Sequence, residues 1–159
     1  MRSTLAAVVA FVMVGAGPAR PVTPEVGCTS AQTVALVNRF FAAFNSGDRW
    51  TLNNRLWGGR LYFNWYAVTT APGMRIDAEA RRRDDLMDYF AARHAAGERL
   101  TLTRLKLNRV TGRGYRNFEF RLTRRSTDQS AGPLLYEGKG SSACLTGRLI
   151  TWVMGAART

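Results

Sequence analysis

Histidine is almost absent from this chain: His94 is the single one in 159 residues. Neither a metal site of several imidazoles nor a dyad with a second imidazole can be built from it, and no metal or cofactor is expected. Lysine is nearly as scarce, with only Lys106 and Lys139 among 23 basic residues. The formal charge of +12 is therefore an arginine charge, set against 11 acidic residues. Cysteine is limited to Cys28 and Cys144. Beyond the first twenty residues no apolar run approaches the roughly 20 residues that a membrane-spanning helix needs.

What is present begins with a leader. Leu5–Ala16 is an apolar run of about twelve residues behind Arg2, followed by small residues and then by a Pro-rich polar stretch, which is the layout of a secretory signal peptide. Residues 1–19 are assigned to that signal, with cleavage fitting after Ala16 or Ala19, and residues 20–29 to a flexible lead-in. A lipid-modified Cys28 is the competing reading, but Glu25 and Val26 precede Gly27, and the apolar run has ended about ten residues earlier. A secreted or extracytoplasmic location follows. In an oxidising compartment, a bond between Cys28 and Cys144 is expected in preference to two unrelated buried thiols.

Residues 30–157 then form one domain, since no more than about 140 residues remain after processing. Val34, Val37, Phe41 and Phe44 recur at helical spacing, with Leu36 and Phe40 widening the stripe. Ser30 is the expected N-cap, Gly47 the left-handed stop, and Asp48 the cap of a short second helix carrying Trp50, Leu52 and Leu56. Gly58-Gly59 is read as a break, and Leu61–Val68 as a strand. Asp77 is expected to cap a third helix running to about Ala96, with Gly97 as its stop.

From Arg99 the period changes to two. Leu100 and Leu102 share one face and Leu105 and Leu107 the other, so this strand is either buried on both sides or bulged near Thr103. Phe118, Phe120 and Leu122 alternate with polar residues in a half-buried strand. Leu134–Cys144 and Arg148–Met154 read as two more strands joined by a turn at Leu145–Gly147. Helices followed by an antiparallel meander make an α+β pattern.

This order of elements, together with Phe40–Asp48, Phe63–Tyr66, Asp85–Phe90 and Gly138–Gly140, resembles the nuclear transport factor 2-like superfamily, whose polyketide-cyclase branch is called SnoaL-like. The resemblance implies a cone-shaped, strongly curved antiparallel sheet wrapped around the N-terminal helix, with about three helices and a pocket open at one end. It does not imply one activity, because members include isomerases, cyclases, dehydratases, epoxide hydrolases and binding or dimerisation modules. The Asp-Arg-Asp set of the epoxide hydrolases and the tyrosine and paired acids of the ketosteroid isomerases have no match at positions of this sequence.

Trp65, Tyr66, Tyr89, Phe120 and Trp152 supply the large surfaces a pocket wall needs, and core packing uses the same residue types. Asp88 and His94 are the candidate acid–base groups. A carboxylate pushed into an apolar cone can gain a raised pKa, and an imidazole titrates near neutrality. Against them stand structural roles. His94 falls in the last turn of a helix, where its cation suits the dipole, and Asp84, Asp85 and Asp88 lie one turn from Arg81, Arg82 and Arg83. Gly138-Lys139-Gly140 lacks the spacing and strand-to-helix context of a phosphate loop; its alternating glycines fit a curved sheet or a close crossing. Ser141-Ser142 lacks the elbow of a hydrolase nucleophile.

The expected function is the binding of a small apolar ligand or an anionic envelope component in the pocket. The alternatives are a cofactor-free isomerase, lyase or hydrolase using an Asp or His, and a homodimer packed through the sheet. Nucleic acid is not an expected partner of an exported chain.

Overall fold

Thr29 opens the first helix. Its hydroxyl accepts from the backbone N–H of Gln32, and the Gln32 side chain accepts in return from the backbone N–H of Thr29, at 3.1 Å. This reciprocal capping box places the cap one residue before the expected Ser30, because Gln32 stands three residues after Thr29 and not after Ser30. The computed structural model describes residues 28–68, 75–127 and 134–157; for residues 65–68 and 75–77 it describes the backbone alone. The leader and lead-in through Gly27 lie outside the described residues.

Helix α1 (Ser30–Ser46) buries Leu36, Val37, Phe40, Phe41 and Phe44, while Val34 is left exposed. Gly47 ends it at φ 72°, donating back to the carbonyls of Ala43 and Phe44. Asp48 then caps the single turn α2 (Arg49–Thr51), accepting from the Thr51 N–H at 2.9 Å. A π-helical turn over Leu52–Leu56 follows, burying Leu52 and Leu56. Trp50 does not join them: it is exposed, beneath the Arg55 guanidinium at 5.2 Å.

Strand β1 (Trp57–Val68) starts four residues before the expected strand and runs straight through Gly58-Gly59, with an irregularity in pairing between Arg60 and Phe63. The segment expected to cap and open the third helix is instead a strand, β2 (Arg75–Arg82), paired antiparallel with β1 so that Phe63 faces Ala80 and Asn64 faces Glu79. Helix α3 (Arg83–Ala95) therefore begins six residues after Asp77. Its stop is as expected, with Gly97 at φ 67°. Residues of good helical propensity yield here because β1 offers them an otherwise unpaired edge.

Strands β3 (Arg99–Val110), β4 (Tyr115–Arg125), β5 (Leu134–Ala143) and β6 (Arg148–Ala156) complete a six-stranded sheet of order β2-β1-β6-β5-β4-β3. The sheet is mixed, since β1 and β6 run parallel. The register of β3 on β4 shifts between Leu102 and Arg104, so the bulge reading holds and the Leu pairs on either side of Thr103 share the inner face. This α+β architecture, with a curved open sheet, wraps α1.

The core is aromatic. Phe40 of α1 meets Trp57, Phe90 and Trp152 with centroids 5.6, 5.7 and 4.8 Å away, and Phe44 meets Phe90 at 5.4 Å. Cys28 and Cys144 are bonded, with Cα atoms 4.7 Å apart across 116 residues of sequence. The bridge joins the start of α1 to the β5–β6 turn, and Arg116 donates to the Cys28 carbonyl beside it at 2.7 Å.

Candidate functional site

Two constellations of charge flank the sheet, one on each face. On the inner face, Arg124 continues the inward parity of Phe118, Phe120 and Leu122 on β4 and is fully buried. A buried guanidinium needs a partner, and Glu98, also fully buried, supplies it. Arg124 donates through Nε to Glu98 Oε1 and through Nη2 to Oε2, both at 2.7 Å. Arg93, in the last turn of α3, donates through Nε to Oε2 of the same carboxylate. Glu98 reaches this position because Gly97 turns the chain and the Glu98 N–H bonds back to the Arg93 carbonyl at 3.0 Å. Burial opposes the Arg124 charge, but the hydrogen bonds and charge of Glu98 outweigh it and hold the guanidinium above its ordinary pKa. Arg124 also lies over the Tyr136 ring, 5.8 Å from its centroid. The triad ties the end of α3 to the sheet, and its carboxylate is fully committed to guanidinium groups.

The outer face carries a different arrangement. The register aligns Lys106, Glu119, Lys139 and Val153 in one row across β3, β4, β5 and β6, and Arg104, Arg121, Glu137 and Gly155 in the next. These two rows flank a groove of about 690 Å³, and the row between them, Phe120, Gly138 and Met154, turns the side chains of Phe120 and Met154 into the core on the other face. Its size falls in the range of about 300–1,000 Å³ typical of small-molecule sites. Lys106 donates to Glu119 at 3.3 Å, and Arg121 lies 3.4 Å from Glu137. The hydrogen bond and charge of Lys106, then Asn108 and Lys139, hold the Glu119 carboxyl below the usual carboxylate range. Both carboxylates in the groove are thus neutralised by neighbours, while Arg104 and Lys139 have no ion pair among the described residues.

No protein-family model matches the chain, and none of the curated proteins does. Solved structures do match. An uncharacterised protein with a cystatin-like fold from Caulobacter vibrioides superposes at TM-score 0.62 and 13% identity, over 80% of this chain and 89% of that one. A nuclear transport factor 2-like protein with a cystatin-like fold from Novosphingobium aromaticivorans gives 0.58 at 17% identity, over 79% and 80%. The chain has the nuclear transport factor 2-like fold. An epoxide hydrolase of the LEH-like type from Mycobacterium tuberculosis also matches, at 0.52 and 15% identity over 85% and 82%. Identities this low establish the fold alone.

Within this nuclear transport factor 2-like fold the expected site residues are dispersed. Phe120 and Trp152 are buried and stacked, centroids 4.0 Å apart and planes inclined by 23°, so their faces are spent on each other. Tyr89 is half-buried against Phe63 and Phe90. Trp65 and Tyr66 lie in β1, and their side chains fall outside the described residues. Asp88 projects from the outer side of α3, with its side chain 76% exposed and accepting from Arg49 at 2.9 Å. His94 is half-buried with its ring against Gly47, where a Cβ would come within 2.6 Å of Nε2. Neither candidate acid–base group lines the groove on the outer face of the sheet. The expected pairing of these acids with the preceding arginines forms through Arg82 and Asp85 at 3.0 Å. That bond holds the Asp85 carboxyl below its usual range.

The residues that the sequence reading passed over are Arg93, Glu98 and Arg124 inside and the charged rows outside. Arg124 had a signal, an arginine at an inward position of an alternating strand. The outer rows had none, because they exist only once four strands are placed in register.

Proposed function

We propose that this is an exported binding protein that holds a small amphiphilic ligand in the groove on the outer face of its sheet. One observation carries the reading: the groove sets Val153 and the aliphatic stems of its long side chains beside an excess of cations. The carboxylates at hand, Glu119 and Glu137, are each engaged by a basic neighbour, which favours holding a ligand over moving a proton. The apolar leader in the sequence and the Cys28–Cys144 bond support export.

Calorimetric titration with medium-chain amphiphiles tests the binding. Val153→Trp, which fills the groove from β6, is expected to abolish association, while Asp88→Asn and His94→Gln leave it unchanged. Ester, epoxide and ketosteroid-like substrates are expected to give no turnover. A metal-free turnover that disappears in Asp88→Asn or His94→Gln, in protein that still folds, would replace this reading with the acid–base enzyme. Intact-mass measurement of exported protein tests the leader, with the mature chain expected to start between Gly17 and Pro21. A lipid mass on Cys28 would refute that.

A further inference from the structure

Resting on that reading of the groove, we infer that its ligand is a single-chain anionic amphiphile, such as a fatty carboxylate, with its head group held between Arg104 and Lys139. The argument is one of charge and of what remains unpaired. The two rows bring four cations, Arg104, Lys106, Arg121 and Lys139, against two carboxylates. Lys106 and Arg121 are drawn to Glu119 and Glu137. Arg104 and Lys139 are the cations left over, and they stand on β3 and β5 with β4 between them.

An anion placed across β4 satisfies both at once. A guanidinium offers a planar fork of donors and an ammonium a point charge, and both suit a carboxylate or phosphate oxygen. The neighbouring glutamates do not repel such a head group strongly, because their charge is already compensated.

The lining decides the rest of the ligand. On this face Val153 and the aliphatic stems of Arg104, Lys106, Arg121 and Lys139 present apolar surface, and Gly155 has no side chain to fill the space above it. A purely ionic ligand would leave that surface in water, whereas an alkyl chain laid along it gains about 25 cal/mol for each Å² removed from water. A second copy of the chain fits less well, since a two-fold pairing of these faces opposes one excess of positive charge with another.

The test is titration of the full mature protein, below the micellar concentration, with laurate, dodecyltrimethylammonium, an uncharged dodecyl glycoside and inorganic phosphate. Laurate is expected to bind best, and to weaken as salt is raised. Arg104→Gln and Lys139→Gln are each expected to weaken laurate about tenfold or more, the usual effect of losing a hydrogen bond to a charged group. Arg39→Gln, an equal loss of charge on an exposed position of α1, is expected to change nothing.

Equal affinity for the three dodecyl compounds would overturn the anionic specificity while leaving the groove a binding site. Phosphate binding as tightly as laurate would overturn the amphiphile in favour of a plain anion. Absence of binding to all four probes would remove the groove reading itself. Binding confined to vesicles containing phosphatidylglycerol, without laurate binding, would point to a membrane surface and refute the proposal. A stable dimer by sedimentation, dissociated by Val153→Trp and indifferent to laurate, would assign the face to a second copy.

Discussion

Gly138 and Phe120 face each other across β4 and β5 so closely that a Cβ on the glycine would lie 2.6 Å from the Cζ of the ring. Phe120 occupies the room a side chain would need, and from there it lies flat on Trp152. Gly140 stands in the same relation to Phe118, with a Cβ 2.4 Å from that ring. The two glycines let two phenylalanines lie down against the sheet and fill the interior.

Gly138→Ala follows directly. The new methyl would also come within 2.2 Å of the Val153 carbonyl, which is backbone and cannot swing aside. The substitution is expected to destabilise by about 2 kcal/mol or more, toward the upper part of the usual overpacking range. Urea denaturation measures it, and a loss under about 0.5 kcal/mol would show that Phe120 does not rest on this position.

Glu98 offers a sharper contrast. Glu98→Gln keeps the shape but leaves Arg93 and Arg124 buried without a counter-charge, so a loss of about 3–5 kcal/mol is expected. Replacing exposed Asp88 by Asn, which breaks a surface pair, is expected to cost less than about 1 kcal/mol. Paired denaturation curves compare them, and similar costs for the two would contradict the buried triad.

The Cys28–Cys144 bond closes 116 residues of chain. In the chain-entropy model a loop of that size restrains the unfolded chain by roughly 4–5 kcal/mol, which is the loss expected for the Cys28→Ser, Cys144→Ser double variant. Thermal melts with and without reductant check it. Equal melting temperatures in the two conditions would mean that the bond contributes nothing.

Acid is expected to destabilise the fold. The Thr51 backbone N–H lowers the pKa of Asp48, and the side chains of Arg82 and Lys106 lower those of Asp85 and Glu119 by hydrogen bonding. A carboxyl with a lowered folded-state pKa contributes stability that is full above its unfolded value and is lost as pH falls through its folded value. The urea midpoint is therefore expected to hold from pH 7 to about pH 5 and to decline below about pH 4, where carboxylates titrate. A midpoint that rises on acidification would contradict these three assignments. All three groups are exposed, so each contributes little on its own.

Much of the fold was legible in the sequence because its signals are local. The aromatic stripe of α1, Gly47 and Asp48 between two helices, the bulge near Thr103 and the Leu145–Gly147 turn each depend on side chains within a few residues of one another. The Cys28–Cys144 pair was legible too, since two cysteines have one pairing available. Tertiary structure decided the rest. Residues 75–82 combine helix-forming residues with an alternation of Ile76, Ala78 and Ala80 against Asp77, Glu79 and Arg81, and they became β2 because the edge of β1 was there to be paired. The parallel pairing of β1 with β6, the burial of Glu98 between two arginines, and the rows of Arg104 and Lys139 join residues that are neighbours only across the sheet. Local spacing fixes which face a residue takes, and only the register between strands fixes which residues share it.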